Sequence, residues 1–104
     1  MQRGEVWWAE LGPPSGRRPV VLLTRDKVIQ VRRFVTVAQL TRTIRHLPVE
    51  VALDERDGLP KACVINADSI NTIDKSRLLR YICLLPPHRM IAVARAVRFA
   101  LGLE

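Results

Sequence analysis

The sequence is most informative in what it lacks. Aromatic residues make up only 5% of its 104 positions, and there are two cysteines, Cys63 and Cys83. Two thiols cannot build a disulfide framework, and no Cys/His group has zinc-ligand spacing, so neither a resident metal nor another cofactor is expected. Both cysteines lie inside apolar runs, Ala62–Ile65 and Tyr81–Leu85, and read as buried thiols of a reducing cytoplasm, with a bridge between them left open. No apolar run approaches the roughly 20 residues of a membrane span, and the first residues lead into no signal-peptide core. Membrane insertion and secretion are therefore not expected.

Acidic residues are scarce in one place. Residues 11 to 48 hold eight basic side chains and one acid, Asp26, while the rest of the chain balances nine bases against nine acids. The whole formal charge of +7 thus sits in about a third of the sequence. Fourteen of the 17 bases are arginine, whose planar fork suits bidentate contact with phosphate and stacking on bases. Concentration and arginine bias together point to a polyanion partner, nucleic acid first.

A length of 104 residues with 48% apolar content supports one folded domain, 1–104, at the small end of what buries its own core. Val6–Leu11 reads as a strand stopped by Gly12-Pro13-Pro14-Ser15-Gly16. Pro19–Thr24 is nearly all apolar, as expected of a strand buried on both faces. A polar connection, 25–33, leads to a β-branched third strand, Phe34–Leu40. Val49, Val51 and Leu53 alternate into a fourth strand, and Asp57-Gly58-Leu59-Pro60 turns the chain into a fifth, Ala62–Asn66. The segment Ile70–Leu78 is ambiguous, with Thr72 or Asp74 able to cap a short helical turn. Leu79–Leu85 is again strand-like. Pro86 and Pro87 then suit the start of a helix whose apolar stripe is Met90, Val93, Ala94, Val97 and Leu101, with Gly102 as its C-cap. The expected fold class is α+β, mainly β: a small curled antiparallel sheet or barrel with a C-terminal helix packed on it.

One constellation carries chemistry. An antiparallel pairing of strands two and three with Thr24 opposite Val35 makes paired numbers sum to 59. Arg18 then faces Thr41 at one end of the sheet, with Arg17, Arg42 and Arg45 nearby. Such a rim offers donors to a phosphodiester without a metal. The adjacent Trp7 and Trp8 should point to opposite faces, one into the core and the other free to stack a base or a partner.

Several motifs resemble the MazF/PemK/Kid toxin family: Arg3-Gly4-Glu5-Val6-Trp7, Arg17-Arg18-Pro19-Val20-Val21, Leu40-Thr41, Gly58-Leu59-Pro60, Cys63-Val64-Ile65 and Thr72 to Leu78, in that order. The resemblance spans nearly the whole chain. It implies an SH3-like barrel, a homodimer, and a metal-independent endoribonuclease that cuts single-stranded RNA and is restrained by an acidic antitoxin. The family's catalytic arginine falls on Arg18, its catalytic threonine on Thr41, and an acidic residue used by some members on Asp68. The expected reaction is attack of a ribose 2′-hydroxyl on its own 3′-phosphate, leaving a 2′,3′-cyclic phosphate and a 5′-hydroxyl. A guanidinium stays charged at neutral pH, so Arg18 suits charge stabilisation better than proton abstraction. Asp68, or His46 in the loop after Thr41, is then the candidate proton acceptor. His88, at the start of the helix, reads as structural or exposed. Ser15, in a loop that in the family often gates or reads RNA, joins Arg17, Arg42 and Arg45 as an expected RNA contact. That loop is shorter here than is usual in the family, and Asn66, Ser69 and Asn71 stand where members often carry other side chains. Two other readings fit a small basic barrel: a non-enzymatic toxin that binds DNA gyrase as CcdB does, and a plain RNA-binding barrel. Neither needs the Arg18–Thr41 pair.

Overall fold

The computed structural model describes residues 1 to 103. Six strands form one antiparallel sheet: β1 (Glu5–Glu10), β2 (Arg17–Leu22), β3 (Phe34–Thr41), β4 (Glu50–Leu53), β5 (Cys63–Asp74) and β6 (Leu78–Leu84). Their order is β4-β5-β3-β2-β1-β6. A short helix, α1 (Asp26–Val31), joins β2 to β3, and a 15-residue helix, α2 (Pro87–Leu101), ends the chain.

The apolar run of β2 is buried on both faces because the sheet has a core on each side. Val21 belongs to one cluster, with Val6, Leu40, Ile65 and Val93. Val20 and Leu22 belong to the other, with Ala9, Ile29, Val35 and Val37. Period-two alternation on a two-sided sheet sends neighbouring residues into different cores. The register between β2 and β3 pairs Val20 with Gln39, Val21 with Ala38 and Leu22 with Val37. Each pair sums to 59, the register assumed from the sequence.

Three local expectations are corrected. The connection 25–33 contains α1, whose fully buried Ile29 plugs the second core; a six-residue helix leaves too little periodicity to read. The ambiguous segment after Asn66 is the continuation of β5, interrupted where the partner of Ala38 is Ile70 and that of Gln39 is Asn66. Residues 67–69 form a bulge there, which hides one strand as two. Asp74 caps the 3-10 turn that follows, its carboxylate accepting from Ser76 N. On α2 the buried positions are Met90, Val93 and Ala96, while Leu101 is 57% exposed. The stripe is rotated because small Ala96, not Leu101, meets the sheet.

The Glu55–Asp57 turn between β4 and β5 is tied to α2 by charge. Asp57, buried, accepts from Arg89 Nε at 3.0 Å and from the backbone of Asp54 at 2.9 Å. Burial pushes the Asp57 carboxyl up, but the Arg89 and backbone hydrogen bonds and the nearby positive charges outweigh it and hold it below its ordinary value. Gly58 follows at φ +99, and a Cβ there would lie 2.8 Å from the Cβ of Cys83. Only glycine permits this approach, which brings the β4–β5 loop onto β6.

Candidate functional site

A cleft of about 620 Å³ opens at the ends of β2 and β3. Arg17 and Arg18 stand on it where β2 begins, and Thr41 and Arg42 where β3 ends. The β2–β3 ladder ends at Val20 and Gln39, so Arg18 and Thr41 lie just beyond it on the two strand ends. The two side chains share the cleft. Each is oriented locally. Arg18 Nε donates to the Ser15 carbonyl at 3.2 Å, and Thr41 Oγ1 accepts from Thr43 N at 3.2 Å. The Gly12–Gly16 loop, which contains a cis Pro13–Pro14 bond, thus holds Arg18 through its backbone rather than through the Ser15 hydroxyl.

The remaining walls come from distant parts of the chain. Leu59, Pro60, Lys61 and Cys63 enter from the β4–β5 side, and Arg80, Tyr81 and Ile82 from β6. Trp8 pairs with Pro19 on one side and Arg80 on the other, so these three form a row across β2, β1 and β6. Trp7 lies on the opposite face, packed edge-on against Tyr81 at 5.9 Å between ring centroids, with its Nε1 donating to Glu5. Neither tryptophan is fully buried, which corrects the expectation that one fills the core: Trp7 flanks the second cluster and Trp8 lines the cleft. Lys61, Arg80 and Tyr81 carry no local motif. Only the register of β6 on β1 and the folding-back of the β4–β5 loop bring them to Arg18.

The electrostatics are one-sided. Five cations, Arg17, Arg18, Arg42, Lys61 and Arg80, line the cleft, and its lining includes no carboxylate. Arg17 is paired to Glu10 at 3.3 Å. Among the described residues, the other four have no carboxylate oxygen within 4.0 Å. Cys63 and Cys83 are unbridged, and burial pushes both thiols up, with the nearby Asp57 charge adding to it. Cys63 is part of the cleft lining and Cys83 lies outside it, and thiols pushed up by burial are poor nucleophiles.

Two residues expected near the reaction centre lie elsewhere. Asp68 is exposed on the β5 bulge, its backbone N–H donating to Asn66 Oδ1, and it does not line the cleft. The bulge that carries Asp68 lies between the β5 residues paired with Gln39 and Ala38 of β3. His46 is exposed in the loop after β3, at φ +57, and is also outside the lining. Arg45 shares that loop, its backbone N–H held by the Glu50 carboxylate at 3.0 Å. His88 is exposed at the start of α2. No group of three or more His, Cys, Asp or Glu side chains that could hold a metal is found among the described residues.

The basic segment also divides. Arg17, Arg18 and Arg42 reach the cleft, whereas Arg25 and Arg32 line a separate groove beside α1. Arg33 is bound to Asp74 at 2.6 Å. A strand pair has two ends, and the sequence between Arg17 and Arg45 visits both, so the basic segment does not gather on one surface.

A model of the PemK-like, MazF-like toxins of type II toxin–antitoxin systems matches residues 2–101. The chain belongs to this family. It is 40% identical over 99 residues to the probable endoribonuclease MazF5 of Mycobacterium tuberculosis, covering 94% of this chain and 90% of that one. The solved toxin MazF-mt6 of Mycobacterium tuberculosis superposes with a TM-score of 0.88 at 35% identity, over 96% of this chain and 98% of the other. A mycobacterial endoribonuclease solved in complex with its cognate antitoxin gives a TM-score of 0.90 at 32% identity, covering 100% and 97%. The curled sheet with one C-terminal helix is thus the family's fold. No helix among the described residues is long and apolar enough to cross a membrane.

Proposed function

We propose that this chain is the toxin of a type II toxin–antitoxin pair, a sequence-selective endoribonuclease that cuts single-stranded RNA in the cleft at the ends of β2 and β3. It works as a homodimer in the cytoplasm and is restrained by an acidic antitoxin. The observation that carries this reading is a cleft holding Arg18, Thr41 and four further cations with no carboxylate in its lining. Membership of the family supplies the reaction class.

The chemistry follows from what the side chains can offer. The ribose 2′-oxygen bonds to phosphorus, the bond from phosphorus to the 5′-oxygen breaks, and the 2′-proton leaves as the departing oxygen gains one. Negative charge builds on the non-bridging oxygens, where the Arg18 guanidinium supplies two aligned donors and a full charge. The Thr41 hydroxyl orients the same oxygens. Arg17 and Arg42 hold the adjoining backbone, and Arg45 and Ser15 extend that track outward. Asp68 and His46 lie off the lining, so the proton acceptor is water or a phosphate oxygen rather than either side chain. Charge stabilisation is then the main source of rate.

The test is incubation of purified protein with mixed-sequence RNA in EDTA, beside Arg18→Ala and Thr41→Ala variants. Wild type should leave 2′,3′-cyclic phosphate and 5′-hydroxyl ends, and the variants should fail. A wild type that cuts no RNA sinks the ribonuclease reading and returns the gyrase-binding or plain RNA-binding alternatives. Undiminished cutting by both variants refutes the site.

A further inference from the structure

The cleft has more positive charge than one phosphodiester can neutralise, and the excess is on the wall away from Thr41. Lys61, from the β4–β5 loop, and Arg80, from edge strand β6, are exposed and face the same cleft as Arg18. Neither makes a side-chain hydrogen bond or ion pair to any other described residue. Unpaired cations gathered around a largely apolar cleft repel one another unless an anion enters. The surroundings also fix what kind of anion it is. Arg80 is the register partner of Trp8, which in turn is the partner of Pro19, next to Arg18. An apolar, aromatic strip therefore runs between the two groups of cations, and it suits a flat base better than another charge.

We infer that Lys61 and Arg80 form a second phosphate-binding wall, which holds the backbone of a nucleotide next to the scissile one while its base lies over Trp8. This rests on the ribonuclease reading above and extends it to how the RNA is gripped. One loop and one edge strand, joined at the tight Gly58–Cys83 contact, supply both cations. The wall is thus built by the long-range closure of the sheet and not by the Arg17–Arg45 segment.

Binding of a mixed-sequence single-stranded RNA, followed by fluorescence anisotropy over a range of salt, tests it. The wild type is compared with Lys61→Gln, Arg80→Gln, the double variant, Arg80→Lys, and Arg95→Gln on exposed α2 as a control. Each lost phosphate contact should flatten the slope of log K against log salt by about 0.7, and the double variant by about 1.4. Arg80→Lys should restore most of the slope, and Arg95→Gln should leave it unchanged. In cleavage assays the double variant should raise KM with kcat nearly constant, since the wall grips substrate and transition state alike. Wild-type binding with an unchanged slope in the double variant overturns the wall and leaves the ribonuclease reading standing. A wild type that neither binds nor cuts RNA removes both. Thermal melting of each variant at the wild-type temperature keeps a folding defect from imitating the result.

Discussion

The two ends of the β2–β3 pair draw on the same stretch of basic sequence and use it differently. At the cleft end, Arg18 and Arg42 have no carboxylate partner among the described residues and face an apolar-floored hollow. At the α1 end, Arg33 is tied to Asp74 and lies 5.6 Å over the Phe34 ring, and Lys75 donates to the Ile29 carbonyl. Only two cations without a carboxylate partner among the described residues, Arg25 and Arg32, share a groove there, against five cations at the cleft. The backbone N–H of Ser76, and after it Arg33, hold the Asp74 carboxyl below its ordinary value. Charge satisfied inside the protein contributes to structure. Charge left unsatisfied around a concave surface is available to a ligand. Composition alone cannot tell these apart, because both ends are arginine-rich.

The largest test of this contrast is at the reaction centre. Arg18→Ala should lower kcat by about 10²–10³, the usual cost of losing a donor to a developing oxyanion, measured on any RNA the wild type cuts. Arg33→Ala, at the other end, should leave kcat unchanged and lower the melting temperature slightly. A matching kcat loss in both variants would erase the distinction between the ends.

A smaller effect concerns the support of the cleft's far wall. Asp57→Ala removes the charged hydrogen bond to Arg89 and should cost about 2 kcal/mol in denaturant unfolding. The same pair predicts a pH response. Its carboxyl is held low in the folded state, so its contribution is complete above the ordinary carboxylate value of 3.8 and fades as pH falls through the lower folded value. Asp57→Asn should flatten that acid limb of the stability curve relative to wild type. An unchanged acid limb would show that Asp57 does not anchor the wall.

Smaller again, Arg42→Gln with Arg45→Gln should flatten the salt dependence of RNA binding, whereas Arg25→Gln with Arg32→Gln should not. Equal effects would mean that RNA spans both ends. Smallest of all, Leu101→Ser should change stability by less than about 0.5 kcal/mol, because that side chain is mostly exposed.

Much of this is readable from the residues. The register assumed for the apolar run of β2 and the β-branched run of β3 matches the three pairs of their ladder, and Arg18 and Thr41 both line the cleft beyond its end. The features that are not readable depend on contacts far apart in sequence. Ile29, with Val28 and Val31, looks like part of a mostly polar loop until a second core exists to receive it. Residues 67–69 read as a strand end because a bulge breaks alternation without ending the strand. Lys61 and Arg80 are isolated cations in the sequence and become neighbours only when β6 pairs with β1 and the Gly58 loop closes on Cys83. Asp68 illustrates the converse, a residue aligned with the reaction centre by motif order that stands exposed on a bulge outside the cleft lining.

The most direct measurement compares kcat/KM of Arg18→Ala and Arg32→Ala on one RNA cut by the wild type. A reaction centre confined to the cleft end predicts a fall of at least about 10²-fold in the first and no change in the second. Equal losses, or a loss only in Arg32→Ala, would contradict it.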